Sequence, residues 1–529
     1  MTGTGALARL ILRRDRVLLP LWVFLIGLLP VFVASSTGSL YPTDEARAGY
    51  IRDALSNTLF LVLYGRPTEP GLGALTSWRA STSMAILALI SMFTVIRHTR
   101  VEEEAGRRDL VESTVVGRYA GLLAALLVTC GANVVLGGVV TLTMLGQDPS
   151  TEGALAIGAA WAAVGCLFAV VGAVTAQLSQ SPAAARGIGG AVLAVAFVVR
   201  AIGNVNSETG GAAWLSPLGW IDQIHPYSDN RWWVLGLVAG FGALLAWLAF
   251  ALAARRDVGA GIVAPRLGPA QAAPGLRSPL ALAWRLHRGA LLGWLASFAF
   301  FGVLVGGFAE TAGKMLGENP ALKEYMERVG GTSAFSDIVI VGLFSVGALG
   351  LSGLAISAAL RLRTEEASLR SEPVLATGAS RLRWAGSHLA FAVLGPAVAM
   401  MLAGTIGGLV HGADTGHVAR ELPRVLAGAL VQLPAVWLLG ALTVAMFGLL
   451  PRYAAIGGWL ALSFCFFLGQ LGALLQLPQS IMDISPFTHV PRVPGGELAW
   501  TPLIVLTVVA AAFVAVGLAA FRRRDVPVT

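Results

Sequence analysis

Charge is scarce in this sequence. Only 12% of its 529 residues are Asp, Glu, Lys or Arg, about half the share of an average soluble domain. Lysine is nearly absent: Lys314 and Lys323 are the only two among 37 Lys+Arg. Cysteine is also rare. Cys130, Cys166 and Cys465 each sit in a long apolar run, with no CxxC pair and no Cys/His cluster at ligand spacing. A disulfide framework and a metal site are therefore not expected. The pattern G-x-x-x-x-G-K-[ST] is missing. Gly313-Lys314 is followed by Met315, and Phe308 stands where the first Gly should be, so no phosphate-cradling loop is expected. There is no Gly-x-Ser-x-Gly nucleophile elbow either. No catalytic residue, bound cofactor or metal is expected on this chain.

What is present is apolar. Hydrophobic residues make up 56% of the chain and mean hydropathy is +0.74. A soluble protein of this composition could not cover its surface with polar groups. That excludes a soluble enzyme and a disordered chain. Runs long enough to cross a bilayer fall near 17–36, 80–97, 119–145, 153–178, 187–203 and 232–254. A second set falls near 289–309, 336–360, 386–411, 425–450, 454–476 and 501–521. The first run follows Arg9, Arg13, Arg14 and Arg16. It is too long for a signal peptide and reads as a retained span.

Twelve spans put both termini on one side. With the termini inside, inside segments hold 25 Lys+Arg against 11 Asp+Glu. Outside segments hold 11 against 18, and Arg200 is left in a span. The net charge of +8 is thus an inside bias, which is what the positive-inside rule predicts for a membrane protein with both termini in the cytoplasm. It does not point to nucleic acid.

The chain repeats itself. At an offset of 263, Arg100, Glu102, Glu103, Arg107, Asp109 and Arg118 fall on Arg363, Glu365, Glu366, Arg370, Glu372 and Arg381. Ser216-Pro217 matches Ser485-Pro486, and Arg255-Arg256-Asp257-Val258 matches Arg523-Arg524-Asp525-Val526. Six spans per half make the repeat parallel. The reading is a first six-span unit over 1–258, a linker over 259–281 with Pro265, Pro269, Pro274 and Pro279, and a second unit over 282–529.

Each half carries a charged segment after its second span. Glu103 and Arg107 lie four apart, as do Glu366 and Arg370. On a helix such pairs share one face and attract. This describes a short amphipathic helix outside the membrane, present twice, and suggests two equivalent partner surfaces. Polar residues in or at the ends of spans, Thr141, Gln432 and Gln470 among them, are candidates for a substrate path. A path lined by small and apolar side chains suits lipophilic cargo.

Four stretches together carry a resemblance. They are Glu104-Ala105-Gly106-Arg107-Arg108-Asp109-Leu110, Leu215-Ser216-Pro217-Leu218-Gly219-Trp220, Arg231-Trp232-Trp233 and Ala254-Arg255-Arg256-Asp257-Val258-Gly259. The first resembles the coupling helix of type-2 ABC exporter permeases. The doubled arrangement resembles the actinobacterial exporter-of-polyketide-antibiotics and multidrug permeases, in which two permease units share one chain. The second half departs from the pattern at Leu369, where Gly106 would fall, and at Thr488-His489, where Gly219-Trp220 would fall.

The resemblance implies a bacterial inner-membrane exporter of antibiotics, drugs or lipid-like molecules. It implies two copies of a separate ABC ATPase that bind ATP and Mg. Glu103, Gly106, Arg107, Asp109, Glu366, Arg370 and Glu372 would couple the ATPases to the spans. The rival reading is a proton-coupled secondary multidrug transporter, which needs ionisable groups at depth. Arg200 and Asp337, near span ends, are the few in view.

Overall fold

The computed structural model describes residues 2–107, 115–205, 210–257, 259–264, 268, 270–317, 332–471 and 478–525. All regular structure among them is helical. Among the described residues eleven helical segments are long and apolar enough to cross a membrane, so the chain is an all-α, multi-pass membrane protein. It divides into two compact units, Met1–Gly268 and Pro269–Thr529.

The first unit opens with α1 (Thr4–Arg14), an amphipathic helix. Leu7, Ala8 and Ile11 pack inward while Arg9, Arg13 and Arg14 stay exposed. The first span is two helices, α2 (Leu18–Gly27) and α3 (Leu29–Leu40). Pro30 lies in the first turn of α3. It has no N–H to donate to the turn before it, and the helix breaks there. The stretch after it, read only as an outside segment from the sequence, folds into α4 (Asp44–Ser56), α5 (Thr58–Tyr64) and α6 (Leu72–Ala80). Thr43 and Asn57 cap α4 and α5 by accepting from first-turn N–H groups. Trp78 holds the three together. Tyr50, Phe60 and Tyr64 pack around its ring, and its Nε1 donates to Gly65 O at 2.7 Å.

The remaining spans of this unit are α7 (Ser83–Ile96, with its extension to Glu104), α8 (Ala120–Leu145), α9 (Thr151–Leu178) and α10 (Pro182–Val205). The short α11 (Pro217–Asp222) precedes the last, α12 (Trp233–Arg255). Trp161 and Phe168 of α9 lie in the middle of the core. The backbones of α8 and α9 nearly touch where Gly137 faces Gly158: a Cβ on either would come within 2.5 Å of the other's carbonyl oxygen. Small residues allow this approach in a membrane, where dispersion contacts rather than water drive helix association.

The second unit contains α13 (Pro279–Gly317), α14 (Thr332–Ala367), α15 (Ser371–Ala376), α16 (Arg381–Thr415), α17 (Val418–Leu430) and α18 (Leu433–Leu449). It continues with α19 (Ala454–Leu471), α20 (Gln479–Met482) and α21 (Trp500–Arg523). The segment Val418–Leu449 is interrupted at Val431–Gln432, next to Pro434, which cannot supply a helical N–H. Eleven of the twelve expected spans correspond to these segments. The run expected over 454–476 forms α19, whose apolar part, Ala454–Gly469, falls short of the other eleven. Residues 472–477 lie outside those described.

Candidate functional site: a duplicated Glu–Arg clasp

The charged segment after α7 begins with an irregular turn. Over Arg97–Val101 the helix loosens into π geometry before Glu102–Glu104 resume α-helix. Such bulges are frequent at functional sites. The chain then reverses at Gly106, φ +66°, with Gly106 N donating to Glu103 O at 3.0 Å. The second unit makes the same turn with a residue that is not glycine: Leu369 has φ +57°, and its N donates to Glu366 O at 3.0 Å. The equivalence of Gly106 and Leu369 therefore holds in backbone conformation. Leu pays the left-handed penalty that Gly avoids, roughly 1–2 kcal/mol.

This turn decides where the acids point. Glu103 is not on an outer face. Its side chain is 1% exposed and receives Arg256 Nη2 at 2.7 Å, Arg256 Nη1 at 2.9 Å and Arg100 Nη1 at 2.5 Å. Arg256 follows directly on α12, and its Nε donates to Gln177 Oε1 of α9 at 2.6 Å. Arg100 Nε donates to Ser179 O at 2.6 Å, just past the end of α9. One carboxylate thus ties the end of the second span to the ends of α9 and α12.

Glu366 repeats the arrangement. Its side chain is also 1% exposed and receives Arg524 Nη1 at 2.6 Å and Nη2 at 2.8 Å. Arg524 follows α21 as Arg256 follows α12, and its guanidinium lies 5.0 and 5.2 Å from the Phe447 and Phe521 ring centres. A third duplicated residue closes each clasp. Arg118 Nη2 donates to Ala253 O and Arg256 O at 3.1 and 2.8 Å. Arg381 Nη1 donates to Arg522 O and Arg524 O at 3.3 and 2.6 Å. Guanidinium groups fit these positions because terminal helix carbonyls lack intrahelical partners and carry the negative end of the helix dipole.

The helical pairs expected from spacing do not form. Arg107 pairs with Glu102, at 2.7 and 2.9 Å, and not with Glu103. Arg14 reaches the same Glu102 at 2.5 Å. Arg107 itself is exposed, and the hydrogen bonds it donates to Glu102 raise its pKa. Glu366 pairs with Arg524 and not with Arg370, which is exposed. The cause is the same in both units. The left-handed residue ends the helix before the fourth residue, so the i, i+4 geometry is lost. Glu372 sits in the first turn of α15, partly buried. Asp109 lies outside the described residues.

The candidate path residues lie in both units. Thr141 Oγ1 donates to Gly137 O at 3.0 Å and fills the Gly137–Gly158 crossing, so it packs two helices together. Gln432 is buried at the break between α17 and α18, with Nε2 3.4 Å from Ser345 Oγ. The side chain of Gln470 lies outside those described.

The two ionisable residues noted near span ends are both in ion pairs. Arg200 Nε donates to Asp222 Oδ2 at 2.5 Å, and its other nitrogens reach Leu63 O and Tyr64 O, each at 3.1 Å. This joins the Ser-Pro segment to α5 and α10. In the second unit Arg424 bridges Asp337 at 2.8 Å and Glu421 at 2.7 Å, with His411 Nε2 4.0 Å from Glu421.

Known proteins are similar to this chain along most of its length. A family model described as the multidrug efflux system permease Rv1217c, C-terminal domain, matches residues 68–253 and 276–522. The chain belongs to this permease family. One relative, the multidrug efflux system permease protein Rv1217c of Mycobacterium tuberculosis, is 44% identical over 527 residues, covering 99% of this chain and 95% of its own. Rv1217c-type permeases are thus the setting in which the clasp is to be understood. The matched residues include Arg100, Glu103, Arg118, Glu366 and Arg381. They stop just before Arg256 and Arg524, the basic halves of the two clasps.

Proposed function

We propose that this chain is the membrane permease of an ATP-driven exporter of amphipathic or lipophilic compounds. In this reading it lies in the bacterial inner membrane with both termini in the cytoplasm. Two parallel six-span repeats make twelve spans, α19 supplying the short one. Two copies of a separate ABC ATPase bind ATP and Mg, and the chain itself performs no hydrolysis. The name of the Mycobacterium tuberculosis relative supports drug efflux. The inside bias of positive charge supports the orientation.

The single observation that carries the coupling part of this reading is the duplicated clasp. Each unit presents an exposed basic residue, Arg107 or Arg370, beside a turn whose preceding acid is buried and bound to the last span. An ATPase pressing on the exposed turn moves the end of the second span. The clasp makes the end of α12 or α21 move with it, because separating the buried carboxylate from Arg256 or Arg524 removes its two-pronged cationic partner, about 3–5 kcal/mol. The two halves of each unit then shift as one body. Glu103 and Glu366 are in this account positioning residues that transmit motion; the docking surface is Arg107, Arg370 and the short helix α15.

The experiment is purification of the chain from its native membrane followed by subunit counting. Capture of a P-loop ATPase at two copies per permease supports the proposal. A permease that purifies alone and transports with ATP depleted refutes it. A proton-coupled transporter is the second reading, favoured by one observation, the buried His411 beside Glu421. Transport stopped by collapse of the proton gradient at constant ATP would select it.

A further inference from the structure

Between α1–α2 and α8 the first unit carries an apolar groove of about 580 Å³. Leu19 and Phe24 line one side, and Leu127 and Val135 the other. Gly131 faces it with open space: a Cβ there would meet nothing within 4 Å. From Leu127 to Val135 the helix rises about 12 Å, close to half of the roughly 30 Å hydrocarbon thickness. The groove therefore has the depth of a single leaflet's acyl region.

One end of the groove is polar. Asp15 and Arg16 lie there. Asp15 is 2% exposed, and its carboxylate is taken by Arg97 at 2.9 Å and His98 at 2.6 Å. Arg16 is exposed. So are Arg9 and Arg13, one turn apart on the neighbouring α1. With the acid already matched by the Arg97 guanidinium and hydrogen-bonded to His98, the mouth of the groove carries positive charge. Basic clusters next to a span attract anionic headgroups, about 1 kcal/mol per residue, and guanidinium matches phosphate geometry better than ammonium does.

We infer that this groove holds one acyl chain of an anionic phospholipid, with the phosphate against Arg16 and within the field of Arg9 and Arg13. A lipid in this place wedges α1–α2 against α8 and fixes the amphipathic helix whose Arg14 reaches Glu102 at 2.5 Å. Lipid composition would then bear on the charged segment of the first unit. The inference rests on the membrane reading of Leu18–Leu40 and Ala120–Leu145, and not on the ATPase partnership.

Native mass spectrometry of the full chain, offered palmitoyl-oleoyl phosphatidylglycerol or phosphatidylcholine, tests it. The wild type is expected to retain one phosphatidylglycerol in preference to phosphatidylcholine by about fivefold or more. Arg16→Glu abolishes the preference, and Arg452→Glu, at an exposed arginine in the second unit, leaves it intact. Gly131→Trp fills the groove and removes the retained lipid of either kind. Val135→Trp serves as the second filling variant should Gly131→Trp fail to fold. Equal retention of the two lipids by the wild type, or a retained phosphatidylglycerol unaffected by Arg16→Glu and by groove filling, overturns the inference. Displacement of the lipid by an uncharged lipophilic drug at equal concentration also overturns it, because it assigns the groove to cargo. None of these results touches the ATPase count.

Discussion

Glu103 and Arg256 lie 153 residues apart and meet through two hydrogen bonds, at 2.7 and 2.9 Å, in a site closed to solvent. Glu366 and Arg524, 158 residues apart, meet through two hydrogen bonds at 2.6 and 2.8 Å, the carboxylate buried and the guanidinium partly exposed. The two acids are related by the offset of the repeat, and each base directly follows the last span of its unit. Removing one partner should be costly. Glu103→Ala is expected to destabilise the detergent-solubilised protein by about 3–5 kcal/mol, read as a fall in the thermal unfolding midpoint. Arg256→Ala should cost a similar amount, and the double variant clearly less than the sum, since the second change removes an already orphaned charge. Additive losses would show that the pair does not act as one.

The second clasp should be less sensitive on its basic side. Arg524 also rests on Phe447 and Phe521, contacts that persist without the acid. Cation–π contacts are worth about 0.5–2 kcal/mol. Glu366→Ala is therefore expected to cost less than Glu103→Ala by about that amount in the same unfolding assay.

The reversal at Gly106 and Leu369 separates backbone from side chain. Gly106→Val should destabilise by about 1–2 kcal/mol, since a β-branched residue at positive φ is strained. Leu369→Gly should be tolerated with little loss, because relief of strain offsets the lost side chain. A large loss at Leu369→Gly would mean that its side chain, and not the turn, holds this segment.

The α8–α9 crossing offers a packing test. At Gly158 a Cβ would fall 2.0 Å from Thr141 Oγ1 and 2.5 Å from Gly137 O. Gly158→Val should therefore cost about 1–3 kcal/mol or more by overpacking. Gly121→Ala, on α8 with open space around its Cβ, should change the unfolding midpoint little.

Much of this architecture was legible in the sequence. Long apolar runs reported the spans because a bilayer leaves few other options for backbone polar groups. The like-charged matches at an offset of 263 found Glu103, Arg118, Glu366 and Arg381, and the Arg-Arg-Asp-Val match found Arg256 and Arg524. What remained hidden was that the two sets bind each other. Spacing of four pointed Glu103 at Arg107, a local partner, and nothing local announces a partner 153 residues away. A duplicated acid and a duplicated base at the same end of the spans were the available signal. A hydroxyl in a span, such as that of Thr141, satisfies itself on the preceding turn, so its polarity alone says little about a cavity. The helices over 41–82 went unread because their apolar face is a local aromatic cluster around Trp78 and not a long run.

The count of ATPase subunits on the purified permease tests the account most directly. The wild-type chain, cross-linked in its native membrane and weighed intact, should carry two copies of one P-loop ATPase. Arg107→Glu and Arg370→Glu, at exposed positions, should each release one copy while leaving the free energy of unfolding within about 0.5 kcal/mol of wild type. Two copies retained in both variants would move the docking surface elsewhere. A wild-type chain that carries no ATPase and still transports with ATP depleted would contradict the account.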